Sequence, residues 1–394
     1  MNLHLKKRIV CAMSGGVDSS VSAALLKKKG YEVIGCFMRN WEKHEDDDSR
    51  TKCTSDQDLE DAIYVSDKLN IRLHVVDFIK EYWTKVFEPF LDDYQHGLTP
   101  NPDILCNKYV KFDSLLKYCQ EHLGTSHLAT GHYAQIEQDK QGIKYREIFG
   151  QKKDQSFFLC HLKDSILPFI QFPIGGMMKS EVKQLANEMN LERIARKTES
   201  MGLCFIGKRK FSRFISQYIP DNIGLIKSIE TNEIIGEHYG LHRYTIGQRI
   251  TPIDKNYKSS KQLFIAKKDL IENVIYAAPG TNHPALFTKS FLTDIPHWIH
   301  NMPTSLKETG VYECGFRFQH KHCPLSVVLS LADHDTLHVS LPIPIRSICA
   351  GQYAVFYDGN EVLGAARITQ SGKSLYEMNW TETLINSDLI LNMC

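Results

Sequence analysis

The feature that most constrains the fold is the alternation of strand-like and helix-like stretches through the first two hundred residues. The apolar runs RIVCAM, YEVIGCFM, IRLHVVDF and HLAT predict short buried strands. The stretches VSAALLKKKG, DLEDAIYVSDKLN and MMKSEVKQLANEMNL have the apolar spacing of helices. This order predicts an α/β fold with a doubly wound parallel sheet, whose ligands lie at the carboxyl ends of the strands.

After residue 222 short strands and turns replace helical periodicity. EIIGEHYG, QLFIAKK, LSVVLSL and YAVFYDGNEVLGAARI predict β structure, and FYDGNEVLG predicts a hairpin around Asp-Gly. We therefore expect an N-terminal α/β domain over 1–218, a small β-rich central domain over 219–282 and a C-terminal β-barrel over 283–370. Residues 371–394 are expected to form a tail on the surface.

Composition narrows the function classes. Lys plus Arg number 47 against 46 for Asp plus Glu, so a nucleic-acid partner would need a local basic patch. No apolar run reaches the ~18 residues of a membrane span, and no leader pattern precedes the first strand, which predicts a cytoplasmic protein without a membrane partner. Eleven cysteines without any C-x-x-C argue against a thioredoxin-like pair and common zinc sites. The group Cys314, His320, His322 and Cys323 also fits no common zinc spacing, and a polar strand end is the favoured interpretation.

The strongest chemical signal is AMSGGVDSS, residues 12–20, between the first strand and the first helix. Adjacent glycines allow a sharp turn, the helix start presents N–H groups, and Ser14, Ser19 and Ser20 add hydroxyls. Asp18 adds a carboxylate beside the expected phosphates, which suggests a bridging Mg²⁺. The absence of a following lysine distinguishes this loop from G-x-x-x-x-G-K-[ST], so we interpret it as a different phosphate-binding loop.

Two cysteines lie in contexts that favour reactivity. In NPDILC, Pro100 and Pro102 predict a stiff, extended approach that aims Asp103 and Cys106. The helical pattern of KYVKFDSLLKYCQEHLG places Cys106 at or near a helix start, where a thiolate is favoured. Cys204 follows in GLCFIG, before the basic run GKRKFSR, which also favours a thiolate.

The S-G-G-x-D-S loop resembles that of the ATP pyrophosphatases, and further motifs narrow the resemblance. MSGGVDSS, FMRNWE, TPNPDILCNKYVKF, ATGHYA, KDQSFFL, GLCFIG and YTIGQR together resemble the tRNA-specific 2-thiouridylases, the MnmA/TrmU family, over about residues 8–368. The resemblance implies an ATP pyrophosphatase domain, a small central domain and a β-barrel that together grip a tRNA anticodon arm.

The resemblance also implies residue roles. Cys106 would be the nucleophile, Cys204 the persulfide carrier and Asp103 a general acid/base. ATP would be held by Ala12, Met13, Ser14, Gly15, Gly16, Val17, Asp18, Ser19, Met38 and Gly131, with Mg²⁺ on Asp18. The tRNA would be contacted by Asn101, Pro102, Asp103, His132, Lys153, Asp154, Gln155, Arg317, Phe318 and Gln352.

The implied reaction is 2-thiolation of the tRNA wobble uridine by a monomer that receives sulfur from a sulfur-carrier protein. Adenylation of the uracil 2-oxygen makes it a leaving group, and sulfur from the Cys204 persulfide replaces it. A disulfide between Cys106 and Cys204 would form and be reduced in each turnover if Cys106 resolves the persulfide. Two alternatives stay open: another ATP pyrophosphatase that forms an amide or a guanidinium, and a nucleotide-binding module without turnover.

Overall fold

The computed structural model describes residues 7–42, 54–139, 142–146, 154–198, 205–207, 209–251, 261–320 and 323–380. The chain divides into two compact units. The first unit comprises Met1–Phe87, Pro102–Gly207 and Asn360–Val362, and the second comprises Glu88–Asn101, Lys208–Gly359 and Leu363–Cys394.

The three longest α-helices lie in the first unit, at three stretches where the sequence predicts helices. Along the chain they are α1 (Val17–Lys28), α2 (Thr54–Leu69), α3 (Ile79–Tyr82), α4 (Glu88–Gln95), α5 (Pro102–Cys106), α6 (Leu115–His122), α7 (Lys179–Glu188), α8 (Glu192–Ala195), α9 (Phe211–Ile215) and α10 (Thr304–Thr309). Two π-helical segments are Trp83–Phe87 and Asn107–Ser114. The 3₁₀ turns are Ser156–Leu159, Asp164–Phe169, Leu241–Arg243, Pro284–Leu286 and Asp333–Asp335.

A five-stranded parallel sheet forms the centre of the first unit. The strands of this unit are β1 (Arg8–Ala12), β2 (Glu32–Arg39), β3 (Arg72–Asp77), β4 (Leu128–Ala129), β5 (Gln135–Asp139), β6 (Gly142–Arg146) and β7 (Ile170–Gln171). The sheet has the order β3-β2-β1-β4-β7 with parallel neighbours, and β5 and β6 pair as an antiparallel hairpin. The predicted parallel α/β sheet is therefore confirmed.

The strand order explains where a ligand site can form in this sheet. From β1 the chain moves outward to β2 and β3, and it then returns to β4 on the other side of β1. The order reverses between β1 and β4, which leaves a crevice beyond their carboxyl ends. Burial fixes β1 at the centre, because Ile9, Val10 and Cys11 have no exposed surface. Val21 of α1 and Val182 of α7 belong to the same buried cluster as Ile9.

The second unit begins with a small five-stranded sheet. Its strands are β8 (Gly224–Ser228), β9 (Ile234–His238), β10 (Arg249–Ile250), β11 (Leu263–Asp269) and β12 (Val274–Pro279). They follow the order β10-β11-β12-β8-β9, in which β12 and β8 are parallel. Ile226, Ile265 and Ile275 form the centre of its buried cluster. This agrees with the predicted β-rich region.

The rest of the second unit contains a closed barrel. Its strands are β13 (Phe287–Thr293), β14 (His297–Trp298), β15 (Val311–Arg317), β16 (Leu325–Leu331), β17 (Leu337–Arg346), β18 (Tyr353–Asp358) and β19 (Glu361–Ser371). Six strands run in the order β13-β17-β16-β15-β18-β19, and pairing of β13 with β19 closes the ring. The predicted Asp-Gly hairpin joins β18 to β19, with Gly359 at φ +54°.

The expected surface tail packs against the barrel in part, which corrects the prediction for residues 372–380. Leu375 has no exposed surface, and its N–H donates to the Phe287 carbonyl at 3.0 Å. Ser374 pairs with Thr288 as an isolated bridge, and Trp380 packs on the same buried cluster. Residues 381–394 lie outside the described residues. Across the part of the chain that the structure describes, no helix is both long and apolar enough to cross a membrane.

Arg317 and Phe318 are buried, which corrects the expectation that they offer a surface to RNA. Phe318 is 4% exposed, belongs to the barrel core and stacks on Phe316 with ring centroids 6.0 Å apart. Arg317 is 7% exposed, and its guanidinium lies 5.2 Å from the centre of the Tyr357 ring. Direct contact with RNA would require both side chains to leave these buried positions, whereas the next residues, Gln319 and His320, are exposed.

Phe318→Ala is expected to lower the free energy of unfolding by about 3–5 kcal/mol, because it opens a cavity in the barrel core. Chemical denaturation measures the change, and Leu292→Ala on β13 is the matched control, since Leu292 is 37% exposed. The control should change stability by less than about 1 kcal/mol. Equal and small effects of the two substitutions would contradict the core assignment.

Candidate active site

The loop between β1 and α1 has a conformation that depends on glycine. Gly15 has φ +69°, and a Cβ there would lie 2.1 Å from the Asp58 carbonyl oxygen. Gly16 is the N-cap of α1 in an extended conformation, without a side-chain cap hydrogen bond. The first turn of a twelve-residue helix therefore faces the loop, which is a favourable position for an anion.

The serines of the loop have two different roles. Ser19 Oγ accepts from the Ser14 N–H at 3.2 Å and donates to the Gly16 carbonyl at 3.1 Å. Ser20 Oγ also donates to the Gly16 carbonyl, at 2.8 Å, and the residue has no exposed surface. Ser19 and Ser20 thus hold the loop, which corrects the expectation that Ser20 is an anion donor. Ser14 is exposed and keeps that role.

The ends of β1, β2 and β4 bring the other predicted nucleotide residues to the same edge of the sheet. Met38 lies near the end of β2, which runs parallel to β1, and is half-buried. Gly131 follows β4 and packs on the first turn of α1, because a Cβ there would lie 2.7 Å from Ser19 N. Met13 is buried, and its N–H donates to the Cys36 carbonyl at 2.8 Å. The structure therefore places these residues together, as the sequence predicted.

Lys179 is a site residue that the sequence analysis missed. Its amine lies 2.6 Å and 2.7 Å from the two carboxylate oxygens of Asp18, and the Tyr133 hydroxyl donates to Asp18 Oδ1 at 2.7 Å. Lys179 is the first residue of α7. A cation at a helix start is unfavourable with the helix dipole, which makes Lys179 unusual, but no local pattern points to its partner 161 residues away. The amine places a positive charge beside the loop.

The donor set around Asp18 does not fit a metal ion by itself. Lys179 and Tyr133 already bind the carboxylate, and no group of three or more His, Cys, Asp or Glu suited to a metal occurs in the described ranges. Protein-bound Mg²⁺ takes one or two carboxylates together with substrate phosphates. A metal on Asp18 would therefore have to arrive with phosphates and replace Lys179.

Cys106 lies deeper in its helix than expected. Pro102 begins α5, Cys106 is its fifth and last residue, and helical structure continues through the π-helical segment Asn107–Ser114 into α6. The free N–H groups of the helix start precede Cys106, which corrects the sequence-based argument that places the thiol at that start. Cys106 is buried, with 6% of its surface exposed. A π-helical segment beside it is a feature that often accompanies functional sites.

Asp103 is exposed to solvent, yet the protein around its carboxyl raises its pKa. Loss of hydration is the main cause, and Lys111 partly offsets it. An accessible carboxyl with a raised pKa is suited to exchange protons with a bound molecule.

The turn that contains His132 connects the helical run of Asp103 and Cys106 to the glycine loop. Its Nδ1 lies 2.7 Å from the Thr130 hydroxyl, and its ring lies 6.0 Å from that of Phe112, in the π-helical segment. Burial and then Lys111 lower the pKa of His132 well below its usual value, so the ring is neutral near pH 7. Because Tyr133 binds Asp18, the turn after β4 contacts both parts of the site.

Asp154 and Gln155 anchor their own segment. Gln155 Oε1 accepts from the Tyr133 N–H at 3.0 Å, and the Gln155 N–H donates to the Tyr133 carbonyl at 2.9 Å. Asp154 is 5% exposed, and its carboxylate accepts from the Ser156 N–H and hydroxyl. The structure thus assigns Asp154 a buried, structural contact rather than the expected RNA contact. Lys153 and Cys204 lie outside the described residues.

Gln352 binds the segment that precedes α5. Its Nε2 donates to the Thr99 carbonyl at 2.8 Å and to the Pro100 carbonyl at 3.3 Å, and the Thr99 N–H donates to the Ala350 carbonyl at 2.9 Å. These contacts lie within the second unit, whose segment Glu88–Asn101 ends one residue before Pro102. Asn101 is therefore the last residue of a tethered segment.

Comparison with known proteins identifies the family. Models described as tRNA methyl transferase HUP domain, tRNA methyl transferase PRC-barrel domain and Aminomethyltransferase beta-barrel domain match residues 7–208, 212–279 and 288–368. The tRNA-specific 2-thiouridylase MnmA of Mycoplasma capricolum is 40% identical over 373 residues, 92% of this chain and 99% of the relative. The Drosophila melanogaster protein Mitochondrial tRNA-specific 2-thiouridylase 1 is 41% identical over 374 residues, 92% of this chain and 94% of the relative.

The fold and the site define a nucleotide-binding α/β domain of the HUP type, followed by a PRC-barrel domain and a β-barrel. The chain belongs to the tRNA-specific 2-thiouridylase family.

Gly131→Ala is expected to weaken ATP binding at least about tenfold, because the new Cβ would displace the first turn of α1. Isothermal titration calorimetry of the purified protein measures the affinity. Gly359→Ala is the control: its φ is +54°, so the added Cβ strains the backbone, but no atom lies within 4 Å of that Cβ. The control should lose some stability and keep its ATP affinity, and unchanged ATP affinity in Gly131→Ala would contradict the placement of Gly131 at the site.

Proposed function

We propose that the protein catalyses ATP-dependent 2-thiolation of the wobble uridine of tRNA. The observation that carries this proposal is the position of the turn after β4. Tyr133 of this turn contacts Asp18 of the glycine loop, and His132 contacts the helical run that contains Asp103 and Cys106. One compact unit thus joins an anion-binding loop to an accessible carboxyl with a raised pKa and to a buried thiol. The names of the relatives support the choice of reaction.

The glycine loop and Lys179 bind the nucleotide in this proposal. Gly16 and the first turn of α1 present N–H groups, and Lys179 supplies a positive charge beside them. ATP supplies the adenylyl group that turns the uracil 2-oxygen into a leaving group. Mg²⁺ would enter with the phosphates and would have to displace Lys179 from Asp18.

Asp103 accepts the proton from the base, and the two cysteines transfer the sulfur. The raised pKa of Asp103 allows its carboxylate to accept a proton from the uracil ring as the 2-oxygen is adenylated. Sulfur bound as a persulfide on Cys204 then replaces the adenylated oxygen, and AMP leaves. Cys106 attacks the Cys204 sulfur of the persulfide, which frees the terminal sulfur for the base, and the disulfide formed between Cys106 and Cys204 must be reduced before the next turnover.

The partners follow from this reaction. A tRNA anticodon arm would meet Asn101, Pro102, Asp103 and His132, and we keep Lys153, Gln155 and Gln352 as contacts to be tested. A sulfur-carrier protein would deliver the persulfide sulfur to a monomeric enzyme. We place the enzyme in the cytoplasm, although the relatives include proteins named as mitochondrial.

We also propose the domain boundaries 1–218, 219–282 and 283–370, followed by a C-terminal segment 371–394 whose residues 372–380 pack on the barrel. The three ranges matched by family models support three domains. The compact units group the second and third of these together.

The decisive experiment combines purified protein, α-labelled ATP, Mg²⁺, sulfide and unmodified tRNA transcript. We expect AMP formation that needs the tRNA, together with 2-thiouridine at the wobble position. Cys106→Ser should abolish thiolation, at least about a hundredfold, because the thiol acts as a nucleophile. Cys119→Ser, at another buried cysteine of the same helical run, is the control and should retain thiolation.

Other outcomes of this experiment would favour a different function. Full activity of Cys106→Ser would favour an amide-forming or guanidinium-forming ATP pyrophosphatase, and ATP binding without release of pyrophosphate would favour a binding module. The description of the family model that matches residues 7–208 names a tRNA methyl transferase. A methylated nucleoside that forms only with a methyl donor would therefore replace thiolation as the reaction.

Asp103→Asn is expected to remove the acidic limb of the pH profile of kcat/KM. Because the pKa of Asp103 is raised, the carboxylate forms only above the usual value of 3.8, and the wild-type rate should rise with pH through that range. The amide does not titrate, so the variant should show a low rate without this limb. An identical limb in the variant would exclude Asp103 as the base.

A further inference from the structure

An ion cluster behind the glycine loop holds one of its carbonyl groups. The amine of Lys197 lies 3.2 Å from the Gly15 carbonyl oxygen, 2.6 Å from Asp58 Oδ1 and 2.5 Å from Asp61 Oδ2. Asp58 and Asp61 belong to α2, and Lys197 follows α8. The cluster therefore connects two helices to the backbone of the loop.

The contact with Gly15 determines which way a loop N–H points. In a trans peptide the carbonyl of Gly15 and the N–H of Gly16 lie in one plane and point in opposite directions. Lys197 draws the carbonyl toward α2 and α8. The Gly16 N–H is thereby turned away from the cluster, and Gly16 is the residue that caps α1.

This peptide bond needs an external anchor because both of its residues are glycine. Neither residue has a Cβ to restrict rotation, so the peptide can flip at low cost. A flip would turn the Gly15 carbonyl oxygen, a partial negative charge, toward a bound anion. No larger residue can replace Gly15 and stiffen the turn, because its Cβ would lie 2.1 Å from the Asp58 carbonyl oxygen.

The cluster is charge-balanced. Arg193 lies 2.6 Å from Asp61 Oδ1, so two cations face two carboxylates, and the Asp61 side chain is only 5% exposed. Burial acts to lower the pKa of Lys197, but the two carboxylates outweigh it and raise the pKa above its usual value. The amine is charged throughout the physiological range and keeps its three contacts.

We propose that Lys197 is a positioning residue that fixes the peptide between Gly15 and Gly16, so that the Gly16 N–H faces the phosphates of the nucleotide. The inference rests on the proposed function only in taking the glycine loop as the phosphate site. Lys197 itself acts from behind the loop, through the Gly15 carbonyl.

Arg193→Met and Lys197→Met form a matched pair. Each removes one cation from Asp61, but only Lys197 contacts Gly15. We expect Lys197→Met to bind ATP and inorganic pyrophosphate about tenfold to hundredfold more weakly than wild type, and Arg193→Met to stay within about threefold. Adenosine, which lacks phosphates, should bind all variants alike. Calorimetry measures each ligand without RNA.

A second variant separates a loss of phosphate binding from a loss of folding. Lys197→Met leaves Asp61 buried with less compensation and can destabilise the chain. The triple variant Lys197→Met, Asp58→Asn and Asp61→Asn removes Lys197 together with both of its carboxylate partners and leaves only the half-exposed Arg193 charged, and it should show the same selective loss of phosphate binding. Circular dichroism verifies that each variant is folded before the titrations.

Three results would overturn the inference. They are phosphate affinities within about threefold of wild type in both Lys197 variants, an equal loss in Arg193→Met, and an equal loss for adenosine. A wild type that binds ATP but makes no thiouridine would refute the proposed reaction and leave this test intact. A wild type that binds neither ATP nor pyrophosphate would refute both.

Discussion

Close backbone packing around the loop after β1 is the constraint on which the rest of the site depends. Gly15 lies against the backbone of Asp58, and Gly131 lies against the first turn of α1. A side chain at either position would collide with main-chain atoms that have no room to move. The loop is therefore shaped by contacts with α2 and with the turn after β4, and both of those elements must be in place before it can bind an anion.

Features encoded within a few consecutive residues were predictable. The apolar strands and the glycine loop follow from local patterns, because a parallel strand buried on both faces must be apolar. Lys179 and Lys197 were not predictable in this way. They reach their partners Asp18 and Gly15 across separations of 161 and 182 residues, and a lone lysine carries no periodic signal. Only the packing of α7 and α8 brings them to the loop.

The expected RNA contacts include residues that the sequence assigned to the surface and the structure buries. Phe318 belongs to the barrel core, and Asp154 caps its own segment, although both are adjacent to polar residues in the sequence. Resemblance at the level of a motif identifies a neighbourhood, but it does not tell which way a side chain points. Phe316, Arg317 and Phe318 are all buried in succession, so strand alternation does not predict which of them reaches the surface.

The cations of the first unit also explain how a chain with a net charge of +1 can act on polyanions. Lys179 and Lys197 each contact a carboxylate, and Lys111 acts electrostatically on both Asp103 and His132. Positive charge is concentrated in the site and balanced there, so it contributes little to the overall charge. A phosphate that approaches Lys179 competes with Asp18 for an amine already held in position, which avoids the entropic cost of ordering a long side chain. Binding then depends on an exchange of partners at a pre-organised amine, and the charge of the whole surface has little influence on it.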